Sequence, residues 1–280
     1  MTFDTVIPAS ANQFGDRNFA AALQRLIYNP NAIDGLQQLL DRVRRTAWSA
    51  RDRLSLDTWR TLHIFTDFEP VELAGRSFDP AQALTYLDAL VRRAAALSGL
   101  AAENMTRGPN WLFADLGRRV ERASHTAVLV RDLVAHSTGF EMDGLRIALE
   151  IADSAMTYRS RYLNVFQVAL LVDLLLLDEY NPRGVAFQVA AMESHIGKLP
   201  RITPRQRSAA AVEIIAEAER LLASADSVML SELDHNGTRA GLVAFVGEID
   251  GALSRVSDAI TDAYFQHATY HRTGAERREA

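Results

Sequence analysis

The chain has 280 residues, 48% of them hydrophobic, which is enough to bury a sizeable core. A formal net charge of −5 and a pI near 5.8 exclude a nucleic-acid binder and a protein held to anionic membranes, because phosphate contacts need a basic face. With no cysteine there are no disulfides, thiol catalysis or cysteine-ligated zinc, and the only lysine, Lys198 in IGKLP, lies outside any phosphate-loop pattern.

Residues 1–15 lack helical periodicity and read as a flexible N-terminal arm, and 273–280 as a disordered tail. Between them the sequence predicts a single all-α domain over 16–272, an antiparallel bundle of about eight to nine helices. A short helix falls near 18–28 and is broken at Asn29-Pro30. Ile33, Leu36, Leu39, Leu40, Val43, Ala47 and Ala50 recur at spacings of three and four, predicting a helix over 32–54, continued by an amphipathic segment over 57–65. A loop with Pro70 and Gly75 leads to Asp79-Pro80, a capping aspartate followed by proline in the first helical position. That helix is expected to end at Gly99. Gly108-Pro109 opens the next, to about His136, with Leu112, Leu116, Ala123, Ala127, Val130 and Val134 as its apolar seam. Helices over 145–163 and 165–179 follow. Asn181-Pro182 repeats the cap-plus-proline signal for a helix ending near Pro200, Thr203 to Gln206 has capping-box spacing for a helix to about Ser227, and a last helix covers 238–270. No segment alternates like a strand and no fixed-period repeat is visible.

The most informative stretch is 153–183, where DSAMTYRSRY leads into a nearly unbroken apolar run and out through DEYNPRG. The run from Val165 to Leu177 carries only Gln167 and Asp173 as polar residues and reads as a largely buried helix; at about 13 residues it is well short of the roughly 20 that span a bilayer. With no cationic N-terminus followed by an apolar run, the chain reads as a cytoplasmic protein with no membrane partner. On a continuous 145–163 helix Arg159 falls on the same arc as Leu145, Ala148, Ala152, Met156 and Leu163 and should face the interior. A buried guanidinium left unpaired costs several kcal/mol, so Arg159 calls for a carboxylate, and Asp173, Asp178, Asp153 and Glu179 are the local candidates.

The segment Gly117 to Ala123 offers two polar faces. Arg119 borders the Ala123 seam with Asp115, Arg122 and Thr126 on the same flank, whereas Arg118, Glu121 and His125 point the other way. Glu121 then forms one-turn surface pairs of small energy, and Arg119 packs its stem on the core or enters a buried ion pair. Glu121/His125 and His267/His271 have one-turn spacing, but the sequence places no third ligand beside them, so neither a metal nor a cofactor is expected. Arg183 projects from the first turn of a helix, where free N–H groups favour an anion; it either grips a carboxylate or phosphate or ties back to Asp178 or Glu179.

At these residues the chain resembles the bacterial Alpha-E domain family, also known as DUF403. The matching text is WLFADLGRRVERA (111–123), LEIADSAMTYRSRY (149–162) and LLLLDEYNPRGVAFQ (174–188), with weaker likeness at LSLDTW (54–59) and YFQH (264–267). The resemblance marks Glu121, Arg122, Asp153, Tyr158, Arg159, Arg161, Tyr162, Asp178, Asn181, Pro182, Arg183 and Gln188 as its site positions. It also implies an extra first helix with a Gly-Arg-x-x-Glu-Arg motif, which residues 1–30 lack, so the chain reads as the C-terminal piece of a longer protein or as a shortened member. It further implies association with a circularly permuted ATP-grasp protein or its peptide substrate in a peptide-ligation or peptide-modification system.

The preferred reading is therefore a non-catalytic, accessory helical domain partnering an ATP-grasp-type ligase. Two competing readings stand beside it: an enzyme acting on a peptide or amino acid through an Arg/Asp/Glu polar site, and a structural dimerisation module forming a homo-oligomer. A deep pocket on which Glu121, Arg159 and Arg183 converge favours the enzyme, and a broad apolar surface favours the scaffold.

Overall fold

The computed structural model describes residues 16–67, 78–163, 165–200 and 208–265, and the predicted N-terminal arm, the C-terminal tail and the Thr203 capping box lie outside them. The fold is all-α, with twelve α-helices among the described residues, more than predicted in part because the expected 145–163 helix is broken in two. None of the described helices is long and apolar enough to cross a membrane. The chain divides into two compact units, 1–106 and 107–280.

The first unit contains α1 (Asp16–Tyr28), α2 (Leu36–Ser49), α3 (Leu56–Thr66) and α4 (Pro80–Asn104), with a single 3-10 turn over Arg51–Arg53. Ile27, Leu40, Ala83, Tyr86 and Leu90 form its core. Gln37 crosses it, donating from Nε2 to the Ile27 carbonyl at 2.8 Å and to the Tyr86 hydroxyl at 3.0 Å. The Asp79-Pro80 signal holds: the Asp79 carboxylate accepts from the Ala81 and Gln82 amides, with proline in the first turn. Gly99 does not end the helix, which continues to Asn104; a helical glycine costs only about 1 kcal/mol relative to alanine, which a 25-residue helix absorbs.

The second unit holds α5 (Pro109–Val134), α6 (Glu141–Ile151), α7 (Ala155–Tyr162), α8 (Val168–Val172), α9 (Val185–Ile196), α10 (Ser208–Ser224), α11 (Ser227–Leu230) and α12 (Ala240–Tyr264). Four of them close a bundle in which α5 packs on α9, α9 on α10, α10 on α12 and α12 on α5. The predicted seam of α5 is the buried one, and Ala123, Val130 and Val134 meet Val189, Met192, Ile215, Leu242 and Val246 in one core cluster. Each fully buried aliphatic side chain of valine size or larger contributes about 1.5–3 kcal/mol relative to exposure.

Two departures from regular helix shape the polar part of this unit. The predicted 145–163 helix breaks between α6 and α7, where Asp153 takes φ +48° and the Ser154 amide reaches back to the Leu149 carbonyl at 2.8 Å. Aspartate tolerates this left-handed conformation better than most residues. The predicted 165–179 helix begins only at Val168, and its second half, Asp173–Leu177, is π-helical, closed by the Asp178 amide on the Asp173 carbonyl at 2.9 Å. Leu174, Leu175 and Leu176 of that wide turn are buried, and it packs against α5, α9 and α10.

Candidate functional site

Asp115, Arg119 and Thr126 lie on one face of α5, and each finds its partner on or just before α9. Asp115 is buried and its two oxygens are shared: Arg118 contacts Oδ1, Arg119 Nε donates to Oδ2 at 2.6 Å, and His195 Nε2 lies 2.7 Å from Oδ2. Burial alone would raise the Asp115 carboxyl, but the hydrogen bonds from Arg118, His195 and Arg119 outweigh it and hold the group below the usual carboxylate range. Arg119 Nη1 continues to Gln188 Oε1 at 3.1 Å, and Gln188 Nε2 donates to the Pro182 carbonyl at 2.6 Å. Thr126 Oγ1 donates to the Arg183 carbonyl at 3.2 Å. Numbers rise along α5 as they fall from 195 to 183, so the two helices run antiparallel.

The loop before α9 is tied in the other direction to the break between α6 and α7. Asn181 is buried; its Nδ2 donates to Ser154 Oγ at 3.2 Å and to the Leu174 carbonyl at 3.0 Å, and its Oδ1 accepts the Arg183 amide at 3.1 Å. Asn181 therefore does not cap the helix, as its spacing suggested; Gly184 holds the N-cap position, with no side-chain cap, and Asn181 fixes the turn before it. Arg183 Nη2 pairs with Asp153 at 2.8 Å rather than with Asp178 or Glu179. Asp178 instead receives Arg161 and accepts the Tyr180 amide at 2.8 Å.

Arg159 is exposed and makes no ion pair among the described residues, which corrects the expectation of a buried pair with Asp173 or Asp178. The cause is the break at Asp153, which resets the phase of the following helix. Tyr158 takes the inward position, while Met156 and Leu163, expected inside, are exposed. Asp173 is partly buried and serves Tyr162, whose hydroxyl donates to Oδ2 at 2.6 Å. Burial first, then that hydrogen bond to a carboxylate, push the Tyr162 phenol up to about 12. The Tyr158 hydroxyl donates to the Val165 carbonyl at 2.8 Å and accepts the Gln167 amide at 3.1 Å, closing the α7–α8 connection.

The structure thus brings Arg119, Arg122, Asp153, Asn181, Arg183 and Gln188 to one region. Glu121 stands apart on the exposed face of α5, its carboxylate 3.7 Å from His125. Arg122 is half-buried. Burial first, and then the neighbouring Arg183, Arg118 and Arg119 guanidiniums, lower its pKa from the usual arginine value, with Asp115 acting the other way. Among the described residues no three His, Asp or Glu side chains gather as a metal site, and His267 and His271 lie outside them. His195 and Ser154 were missed from the sequence. His195 shares a buried helical face with Gln188 and Met192 at i, i+4 and i+7, a periodicity that marks it as inward, but its carboxylate partner is 80 residues away in sequence.

The second unit is thus an all-α bundle whose polar centre lies where α5 passes the proline turn before α9. The family model for Alpha-E, described as "A predicted alpha-helical domain with a conserved ER motif", matches residues 4–265, and the chain belongs to that family. The described residues hold two Glu-Arg pairs, Glu121-Arg122 in α5 and Glu219-Arg220 in α10. Similar proteins include the uncharacterized protein Rv2567 of Mycobacterium tuberculosis and the uncharacterized protein Mb2597 of Mycobacterium bovis. Each is 29% identical over 253 residues, covering 86% of this chain. The chain spans only 28% of the length of either relative. No solved structure matches the chain.

Proposed function

We propose that the chain is an accessory helical domain working beside an ATP-grasp-type ligase in a peptide-ligation or peptide-modification system, where it receives acidic groups of the ligase or its peptide. The observation that carries this reading is the concentration of Arg118, Arg119, Arg122 and Arg183 where α5 passes the turn before α9. Guanidiniums are suited to carboxylates through their planar pair of donors, and this group contains more of them than its own carboxylates neutralise. The family membership supports the same reading, as does the small share of the mycobacterial relatives that the domain fills, since there it sits within a much longer chain. The test is co-purification with an ATP-grasp protein from the native host, compared with an Arg183→Glu variant of unchanged melting temperature. Enrichment of the ATP-grasp protein by the wild type and not by the variant is expected. Robust ATP turnover by the purified chain, abolished by Glu121→Gln or Asp178→Asn, overturns the accessory role in favour of an enzyme.

A further inference from the structure

The register of α5 against α9 fixes where Arg122 lies. Arg119 faces Gln188 and Thr126 faces the Arg183 carbonyl, and Arg122 is one turn from each on the same face of α5. It therefore stands beside the opening turn of α9. Of the four arginines in this group, Arg118 and Arg119 are held by Asp115 and Arg183 by Asp153, whereas Arg122 makes no ion pair among the described residues. Its strongest electrostatic neighbours are three other guanidiniums and Asp115, whose oxygens are already occupied by Arg118, Arg119 and His195. A half-buried cation among cations is unfavourable unless an anion joins it.

We propose that Arg122 and Arg183 together form a binding site for a dicarboxylate, the ligand class being the C-terminal acidic residue of a peptide with its side-chain and terminal carboxylates. Arg183 already holds one carboxylate, that of Asp153 at 2.8 Å, so a group of this geometry fits it. The two side chains are 41% and 76% exposed, and a pair so open to water is readily exchanged for a ligand carboxylate. Arg122 takes the second carboxylate, with planar donors suited to bidentate contact. The charge count agrees: four guanidiniums, Arg118, Arg119, Arg122 and Arg183, stand against two carboxylates, Asp115 and Asp153, leaving an excess that a dianion neutralises. The peptide source rests on the accessory-domain reading; the dicarboxylate chemistry does not.

The experiment is isothermal titration of the full chain, at low ionic strength and without phosphate buffer, with N-acetylglutamate, neutral N-acetylglutamine amide and inorganic phosphate. The expected result is one site for N-acetylglutamate and none for the neutral amide. Arg122→Gln and Arg183→Gln should each weaken binding at least about tenfold, the effect of losing a charge-assisted hydrogen bond. Arg122→Lys, which keeps the charge and loses the planar fork, should weaken it less and decides the matter if Arg122→Gln does not fold. Arg255→Gln on α12 makes the same charge change and should leave binding intact. Wild type that ignores N-acetylglutamate, an Arg122→Gln variant of native melting temperature that binds it equally well, or tighter binding of phosphate overturns the site. Capture of an ATP-grasp protein without dicarboxylate binding refutes the site and leaves the accessory role standing; dicarboxylate binding without capture does the reverse.

Discussion

Arg119 and Gln188 are joined by a hydrogen bond of 3.1 Å, and the same amide side chain donates to the Pro182 carbonyl at 2.6 Å, so one buried glutamine couples the middle of α5 to the turn that presents Arg183. Replacing Gln188 by alanine leaves the Pro182 carbonyl and one arm of Arg119 without these partners. Gln188→Ala should destabilise the chain by about 1–3 kcal/mol, the cost of a buried polar group left unpaired. Chemical denaturation checks this, and an unchanged midpoint would show that water replaces the side chain without loss.

Asp115 is the common acceptor of Arg118, Arg119 and His195, and removing it leaves the largely buried Arg119 guanidinium without its carboxylate and the His195 ring without its partner. Asp115→Ala should cost about 3–5 kcal/mol, as expected for breaking a buried charge pair. Asp115→Asn adds a pH signature. The folded-state carboxyl lies below the unfolded value of about 3.9, so its stabilising contribution is complete above that pH and is lost as pH falls through the lower folded value. The stability gap between wild type and Asp115→Asn should therefore be widest near neutral pH and shrink below about pH 4. A gap that stays constant into the acid range would mean that Asp115 titrates alike in both states.

Arg159 gives the opposite expectation. It is exposed and unpaired among the described residues, so Arg159→Ala should change stability by no more than about 0.5 kcal/mol, the usual range for such surface positions. A melting temperature several degrees lower would place it back in a buried network.

The helix-forming content of the chain was legible because it is written in local signals. The α5 seam, the Asp79 cap and the all-helical architecture follow from spacings of three and four and from a capping residue beside a proline. What was not legible depends on phase. A single left-handed residue, Asp153, converts an apparently continuous 145–163 helix into two and exchanges Arg159 for Tyr158 at the inward position. The π-helical turn at Asp173–Leu177 likewise adds a residue that no wheel at the α-helical period accommodates. Asn181, Arg183 and Gln188 lie close together because they are close in sequence, but their partners could not be read from it. Gln188 meets Arg119 across 69 residues of chain through the antiparallel packing of α5 on α9, and Arg183 meets Asp153 across 30 through the turn before α9 folding back on the α6–α7 break.

Tyr162 offers a spectroscopic check on the Asp173 contact. Its phenol is pushed up to about 12 by burial and by the hydrogen bond to Asp173, so folding favours the protonated form. That contribution is fully present below the unfolded value of about 10 and disappears as pH rises through about 12. A rapid pH jump followed by phenolate absorbance, with Tyr162→Phe subtracted, should show one late-ionising tyrosine. Asp173→Asn should move that ionisation to lower pH, and a Tyr162 signal near 10 in the wild type would remove the contact.

Gly184 and Gly117 make a matched pair for testing the backbone around the arginine group. A Cβ at Gly184 would meet the carbonyl oxygens of Asn181, Asp178 and Leu174, each at 3.2 Å, and all three belong to backbone that the Asn181 side chain and the π-helical turn already fix. Gly184→Ala should therefore destabilise by about 1–3 kcal/mol, the usual range for overpacking, and should weaken anion binding by displacing Arg183. Gly117 lies inside α5 with nothing within 4 Å of a built Cβ. Gly117→Ala should stabilise by about 0.5–1 kcal/mol, because alanine fixes helical backbone at a lower entropic cost than glycine. Thermal denaturation of both variants decides the point: shifts of opposite sign, the larger at Gly184, support the crowding at the α9 entry, whereas a Gly184→Ala variant as stable as wild type would show that the turn relaxes and that Arg183 is not held by it.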